Sequence, residues 1–212
     1  MKILALSDIH NEIPLVDKLL WNIAKKDIDL IIICGDITNY GPKDYAERIL
    51  DKLSFTRVLA IPGNLDLNEI ATLLDTRSIS LHNKKIKLNG FNFVGYGGGL
   101  LGNVGVILNM EEKVKRDLAK LVDNKTILVT HLPPINSLLD NVNGKHIGSK
   151  AVREIIESKK PFLHLCGHAH ESANEEKIKE TTSINVGALK DGTASLVEID
   201  DKKNISCKRL KF

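Results

Sequence analysis

KILALSDIH, residues 2–10, is a short apolar run that turns polar at once. It is too short for a helix and apolar without alternation, so it reads as a strand buried on both faces, with a polar loop at its carboxyl end. IDLIIICGD, residues 28–36, repeats the layout. Between the two, residues 14–26 place Leu15, Leu19 and Ile23 at helical spacing, with Pro14 suited to a first helical turn. A helix over 44–53, a strand over 57–61 and a short helix over 67–74 continue the alternation. Strands alternating with helices, the strands continuously apolar, are the signature of an α/β fold.

The rhythm changes near residue 78. Strands are predicted over 78–81, 84–88 and 91–96, and Asn89-Gly90 marks a tight hairpin turn. A glycine-rich loop follows at 95–105 (GYGGGLLGNVG), then an amphipathic helix over 110–121, a strand over 126–130 and a long loop over 132–148. Residues 150–157 read as helix and 162–166 as strand. The tail is β-rich, with strands at 178–179, 183–186, 194–199 and 205–210. There is no internal repeat, linker or low-complexity segment. The order predicts one domain over residues 1–212, with strands in two layers and helices outside them.

Composition narrows the function. With 42% hydrophobic and 27% charged residues the chain suits a packed domain, not a disordered one. A formal net charge of +3 does not announce nucleic acid or an anionic membrane as partner. Aromatic residues at 4% are too few for a platform on which single-stranded bases stack. No apolar run approaches the ~20 residues that span a bilayer, and the first residues lack a signal-peptide core. A cytoplasmic location is therefore expected. The 3 cysteines are odd in number, widely spaced and without a CxxC pair, so neither disulfides nor a thiolate zinc site is expected. Cys34 and Cys166 close apolar runs and read as small buried hydrophobes.

Five predicted strands end in polar residues: Ser7-Asp8-Ile9-His10, Gly35-Asp36, Gly63-Asn64-Leu65-Asp66, Thr130-His131 and Gly167-His168-Ala169-His170. Ligands of α/β sheets collect just outside the carboxyl ends of strands, so these loops are candidates for one pocket. Their side chains include Asp8, His10, Asp36, Asn64, His131, His168 and His170. Mixed imidazole and carboxylate donors suit Mn, Fe, Ni or Zn. The set is too large for one ion of about four ligands. It suits two ions sharing a carboxylate, and Asp36 is the natural bridge. Each piece alone is weak, since a DxH at a strand end is commonly an ordinary loop and a lone histidine is commonly just hydrogen-bonded. The ordered set is what carries weight.

That set resembles the calcineurin-like metallophosphoesterase superfamily, whose motifs run DxH, GD, GNH(D/E), H and GHxH. The resemblance implies a four-layer fold, a β-sandwich of two mixed sheets flanked by helices. It implies one metal held by Asp8, His10, Asp36 and His170, and a second held by Asp36, Asn64, His131 and His168. The implied activity is phosphate-ester hydrolysis by a metal-bridging hydroxide, with Asn64 neutralising charge on the phosphoryl oxygen; the apolar Leu65 next to it leads us to expect a preference for phosphodiesters, which carry one less charge. The implied cofactors are two divalent transition-metal ions, manganese first, with Ni, Fe or Zn as alternatives. Lys145-His146-Ile147-Gly148-Ser149 and Leu165-Cys166-Gly167-His168-Ala169-His170 look like the small single-domain archaeal and bacterial members. So does Ile184-Asn185-Val186-Gly187, although those members usually have NPG where this chain has NVG. The expected partner is a small phosphate ester, with no nucleic acid and no membrane; a homodimer is compatible. The rival readings are a non-catalytic scaffold of the same fold and a nuclease.

One position departs from the superfamily pattern. Leu65 stands where a histidine commonly follows GN, and leucine cannot transfer a proton. His146 is a candidate to reach the substrate phosphate or to replace that acid; the alternative is a surface or helix-capping role. Asp66 either hydrogen-bonds a ligand histidine or caps the helix that starts near Leu67. His164, inside an apolar strand, reads as structural, and His82 sits in a turn without motif support. Gly97-Gly98-Gly99 either presents N–H groups to a phosphate or serves as a bulge or connector.

Overall fold

Alternate residues of one strand serve two different cores. In the computed structural model, which describes residues 1–23, 25–102 and 104–212, β1 (Lys2–Leu6) turns Ile3 and Ala5 into one apolar cluster and Leu4 and Leu6 into another. Successive strand residues face opposite ways, so a strand apolar at every position must be covered on both sides. The chain continues with α1 (Ile13–Asn22), β2 (Leu30–Ile33), α2 (Lys43–Leu53), β3 (Arg57–Ala60) and α3 (Asn68–Thr76). Next come β4 (Lys84–Leu88), β5 (Phe91–Tyr96), the short β6 (Gly99–Leu100) and β7 (Leu108–Asn109), α4 (Glu111–Leu121) and β8 (Thr126–Thr130). The remainder is β9 (Asn141–Val142), β10 (Lys145–His146), α5 (Lys150–Lys159), β11 (Leu163–Cys166), β12 (Glu175–Ile178), β13 (Thr181–Asn185), β14 (Thr193–Ile199) and β15 (Ile205–Lys211).

Two mixed sheets form the centre. The first runs β15-β14-β1-β2-β3, the second β12-β13-β11-β8-β5-β4. In the first, β1, β2 and β3 are parallel; in the second, β13, β11, β8 and β5 are parallel. Antiparallel strands edge both. The inner faces meet through Ile3, Ile32, Leu59, Phe93, Ile127 and Leu165. Outside the first sheet, Leu4, Ile31 and Ile33 pack on α1, α2 and α3 through Val16, Leu19, Ile49 and Ile70. Outside the second, Val94 and Leu128 pack on α4 and α5 through Leu118, Val152 and Ile155. The result is the expected four-layer arrangement of helices, sheet, sheet and helices. Phe93 is the bulkiest fully buried side chain, and its truncation to alanine costs about 3–5 kcal/mol.

Local chemistry sets the joints. Pro14 occupies the first turn of α1, as its missing N–H permits. Asn89 and Gly90, at φ 50° and 80°, turn the β4–β5 hairpin as Asn-Gly predicts. Ser149 caps α5 by accepting the Val152 N–H at 3.2 Å, and the Glu111 carboxylate accepts the N–H groups of Lys150 and Ala151.

Several expectations shift: the loops predicted over 95–105 and 132–148 carry the short β6 and the antiparallel β9–β10 pair, whose two-residue strands leave no periodic signal. α1 stops at Asn22, short of the predicted end at 26. Ala24, in that span, and Asn103, in the glycine-rich loop, lie outside the described residues. Residues 78–81 form no strand of their own. The segment crosses from the edge of one sheet to the other, with Ser80 bridging Ala60 and His82 bridging Gly95, so it pairs too briefly with either. The strand predicted at 178–179 ends at Ile178, because Lys179 turns at φ 55° into β13; it extends back to Glu175 instead. Its Glu175-Glu176-Lys177 is an edge sequence with no apolar signal.

A candidate metal centre at the strand ends

The parallel strands of both sheets deliver their carboxyl ends to one place. Asp8 and His10 follow β1, Asp36 follows β2 and Asn64 follows β3; His131 follows β8, and His168 and His170 follow β11. The chain must turn sharply there. Asp8, His10, Asp36 and His168 take φ of 52°, 47°, 49° and 66°, a conformation that non-glycine residues adopt at a cost and that clusters at functional sites. Glycines let the loops close in. A Cβ on Gly63 would overlap Asp36 Oδ1, and one on Gly167 would overlap Ser7 Oγ.

All seven predicted side chains come together. His10 Nε2 lies 3.6 Å from Asp8 Oδ1 and 3.9 Å from Asp36 Oδ2. His170 Nε2 lies 3.1 Å from Asp8 Oδ1. His131 Nε2 lies 3.4 Å from Asp36 Oδ2, 2.8 Å from Asn64 Oδ1 and 3.2 Å from His168 Nδ1. Asp8, His10 and His170 form one compact donor group; Asp8, Asp36 and His131 form another.

The donor set fits divalent cations. Asp8 Oδ1 and His10 Nε2 are buried without a hydrogen-bond partner, which costs free energy unless a ligand completes them. His131 Nδ1 lies 2.8 Å from the Cys34 carbonyl, so Nδ1 carries a proton and, in the neutral ring, Nε2 presents a lone pair. That lone pair faces Asn64 Oδ1, Asp36 Oδ2 and His168 Nδ1, electron-rich atoms converging on one point. Second contacts orient the carboxylates: Asp36 Oδ1 accepts the Leu65 N–H at 2.8 Å and Asp8 Oδ2 accepts the His168 N–H at 2.9 Å. Without cations the charges compensate one another. Burial works against charge on Asp8, but His10 and His170 hold its carboxyl well below the usual range. Burial disfavours His131 as a cation, yet Asp36 and Asp8 push it up to about 9. Burial, then the His131 charge, pushes His168 down to about 4.

The neighbours that brace this cluster are less visible in the sequence. Asp66 is fully buried and does neither of the things expected of it. Its Oδ1 accepts from the Thr38 N–H and Oγ1–H, both at 2.8 Å, and its Oδ2 accepts from the N–H groups of Ile37 at 3.1 Å and Gly63 at 2.8 Å. It clamps the Asp36 loop to the Asn64 loop; α3 starts beyond Leu67 with no side-chain cap. Asn185 donates through Nδ2 to the carbonyls of Leu139 and Ala169, tying the 132–148 loop to the GHAH loop. Asp140, also buried, gathers the N–H groups of Asn136, Ser137 and Gly148. No sequence motif marks Asp140, and the NVG segment gives Asn185 no role of its own.

Other expectations resolve here. His146 lies on β10, 41% exposed, with Nδ1 2.7 Å from Asp140 Oδ1. Among the described residues it makes no hydrogen bond or ion pair to the seven cluster side chains. Its partner strand β9 packs on the 3-10 turn His170–Ser172, where Ser172 Oγ donates to the Asn141 carbonyl. His164 is buried against Thr130 Oγ1 at 2.8 Å, and burial pushes it down to about 3, a structural role as expected. His82 accepts the Gly97 N–H at 2.9 Å and steadies a turn. The phosphate-cradle alternative for Gly97-Gly98-Gly99 fails: the three N–H groups go to His82 Nδ1, the Pro62 carbonyl and the Ile107 carbonyl, so the loop is a connector. A cavity of about 550 Å³ at the amino end of β3, lined by residues such as Arg57 and Arg77, includes none of the cluster.

Known proteins resemble this chain in sequence and in fold. An uncharacterized protein of Methanocaldococcus jannaschii, MJ1162, is 31% identical over 97% of this chain and 94% of its own length. A dimetal phosphatase from Danio rerio has the same fold at TM-score 0.66, with 13% identity over 100% of this chain and 96% of that one. A structure described as a novel archaeal phosphodiesterase follows at TM-score 0.58, with 19% identity over 99% and 100% of the two chains. Residues 1–172, which hold every candidate ligand, match the family described as calcineurin-like phosphoesterase. The chain therefore belongs to the calcineurin-like phosphoesterases, hydrolases of phosphate esters that depend on divalent metal ions.

Proposed function

We propose that this chain is a cytoplasmic phosphodiesterase, one domain over residues 1–212, that works with two divalent transition-metal ions. Asp8, His10, Asp36 and His170 would hold one ion; Asp36, Asn64, His131 and His168 would hold the other. The observation that carries the reading is the place of Asp36 Oδ2, 3.9 Å from His10 Nε2 and 3.4 Å from His131 Nε2, between the two histidine sets. Manganese is the proposed native ion, and Ni, Fe or Zn suit the same mixed donors. Bound ions supply Lewis acidity and lower the pKa of a coordinated water toward neutrality, which yields the nucleophile.

The chain's own groups do the rest. Asp36 is oriented by the Leu65 N–H, and Asn64 is held by the Val104 carbonyl at 2.9 Å on its Nδ2. Asn64 is thereby fixed beside the point where phosphoryl oxygen gathers charge. Leu65 offers no proton to the departing alcohol. We assign that donation to His146: Asp140 engages its Nδ1, which leaves Nε2 as the nitrogen free to carry the proton. The test is reconstitution of metal-free protein with Mn, Ni, Fe(II) or Zn, followed by assay on bis(4-nitrophenyl) phosphate and 4-nitrophenyl phosphate. Metal-dependent hydrolysis, faster on the diester, is the expected result. A protein that binds two ions and cleaves no diester contradicts the proposal.

A further inference from the structure

The rim of the candidate centre exposes several apolar side chains and carries almost no cations. The loops at the carboxyl ends of the parallel strands are residues 7–12, 34–42, 61–67, 97–110, 131–149, 167–174 and 186–192. Of the 30 lysines and arginines in the chain, only Lys145 and Lys190 fall in these loops. Lys43, the next cation after residues 34–42, is turned to Glu47 at 2.9 Å. The proposed ions would serve the reacting phosphate, but the flanking phosphates of a nucleic-acid strand would call for arginine or lysine. This rim instead exposes Tyr40, Leu101, Val104, Val106 and Leu138.

Hydrogen bonds put the backbone of Val104 and Val106 against the cluster itself. Asn64 Nδ2 donates to the Val104 carbonyl at 2.9 Å, and the Val106 N–H donates to the Asn64 carbonyl at 2.6 Å. The other end of the same amide lies 2.8 Å from His131 Nε2. Val104, 74% exposed, is thus hydrogen-bonded through its carbonyl to a candidate ligand. Leu65 follows Asn64, belongs to none of the three apolar clusters, and accepts the Tyr40 N–H on its carbonyl at 3.0 Å. Solvating this much aliphatic surface beside a reaction centre is unfavourable, and a ligand that covers it gains affinity.

We infer that the substrate is a phosphodiester monoanion with uncharged, apolar ester arms, received by Tyr40, Leu65, Val104 and Val106. The inference rests on the phosphodiesterase reading and narrows its substrate class. The reaction is hydrolysis of one P–O ester bond: water gives its hydroxyl to phosphorus and its proton to the departing alcohol oxygen.

The experiment measures competitive inhibition of bis(4-nitrophenyl) phosphate hydrolysis by three diesters of equal charge: dimethyl phosphate, diphenyl phosphate and thymidylyl-thymidine. Diphenyl phosphate should bind at least about tenfold more tightly than dimethyl phosphate, the equivalent of roughly two buried methylenes. Val104→Ser and Val104→Lys should each shrink that ratio while metal content, read by elemental analysis, stays at the wild-type level. A ratio near one, or tightest binding of thymidylyl-thymidine, overturns the inference and leaves the phosphodiesterase reading standing. Absence of diester hydrolysis overturns both. Co-sedimentation with phosphatidylcholine–phosphatidylglycerol vesicles would assign the rim to a membrane surface and also overturn it.

Discussion

Replacing Asp66 with asparagine probes how the site is built. The Asp66 carboxylate accepts four hydrogen bonds from a fully buried position, two on each oxygen. An asparagine keeps one oxygen and turns an NH₂ toward two of the donors. If the oxygen faces Thr38, the Ile37 and Gly63 N–H groups lose their acceptor. A buried donor left unpaired costs about 1–3 kcal/mol, so two cost about 2–6 kcal/mol. Some of this is offset, because burial and then the Asp36 charge already raise the Asp66 pKa and the neutral amide relieves both. The net expectation is a loss of about 2–4 kcal/mol. Urea unfolding of metal-free protein at pH 7.5 reads it directly. Thr38→Val, which removes one donor to Asp66 and the acceptor of the Gly41 N–H, should cost about 1–3 kcal/mol. Because the clamp joins the Asp36 and Asn64 loops, Asp66→Asn should also weaken metal binding by about 10–100-fold in calorimetric titration. A stability loss under about 0.5 kcal/mol, or unchanged metal affinity, refutes the clamp.

Further predictions concern other groups. His164 has a folded pKa of about 3 against about 6.5 when unfolded, so between those values the unfolded chain binds more protons. Its contribution is complete above pH 6.5 and is lost as pH falls toward 3, at about 1.4 kcal/mol per unit. In metal-free protein, His164→Gln should therefore lose about 2 kcal/mol less than wild type between pH 7.5 and 5.0; equal losses contradict this. His146→Gln and Asp140→Asn should each steepen the dependence of rate on leaving-group pKa across aryl phosphodiesters, by about 10²–10³-fold for alkyl leaving groups. An unchanged slope removes His146 from the mechanism. Gly63→Ala drives a methyl into Asp36 Oδ1, and metal content after dialysis should fall below half of wild type; full content would show that the loop gives way.

Legibility followed the range of the interactions. β1 and β2 could be read because strands buried on two faces are apolar at every position and switch to polar side chains where they leave the sheet. The switch points, Asp8, Asp36, Asn64, His131 and His168, are the residues the structure gathers. What stayed hidden depends on long-range pairing. Asp66 reaches Ile37 and Thr38 across 28 or 29 positions, and Asn185 reaches Leu139 across 46. Nothing local distinguishes such an Asp or Asn from a capping residue. The glycines at 97–99 looked free for a ligand because the acceptors of their N–H groups lie in other elements. The first three residues of β12 are illegible for the opposite reason: an edge strand rich in charge carries no periodic apolar pattern.

The central claim is two ions bridged by Asp36, and metal stoichiometry with anomalous scattering tests it most directly. Crystals of manganese-loaded protein should show two anomalous peaks about 3.5–4 Å apart, with Asp36 between them, and solution analysis should find two ions per chain. Asp36→Asn should lose both ions together, while His170→Ala should weaken mainly the one beside Asp8. A single peak, or an Asp36→Asn protein that keeps two ions, would contradict the account.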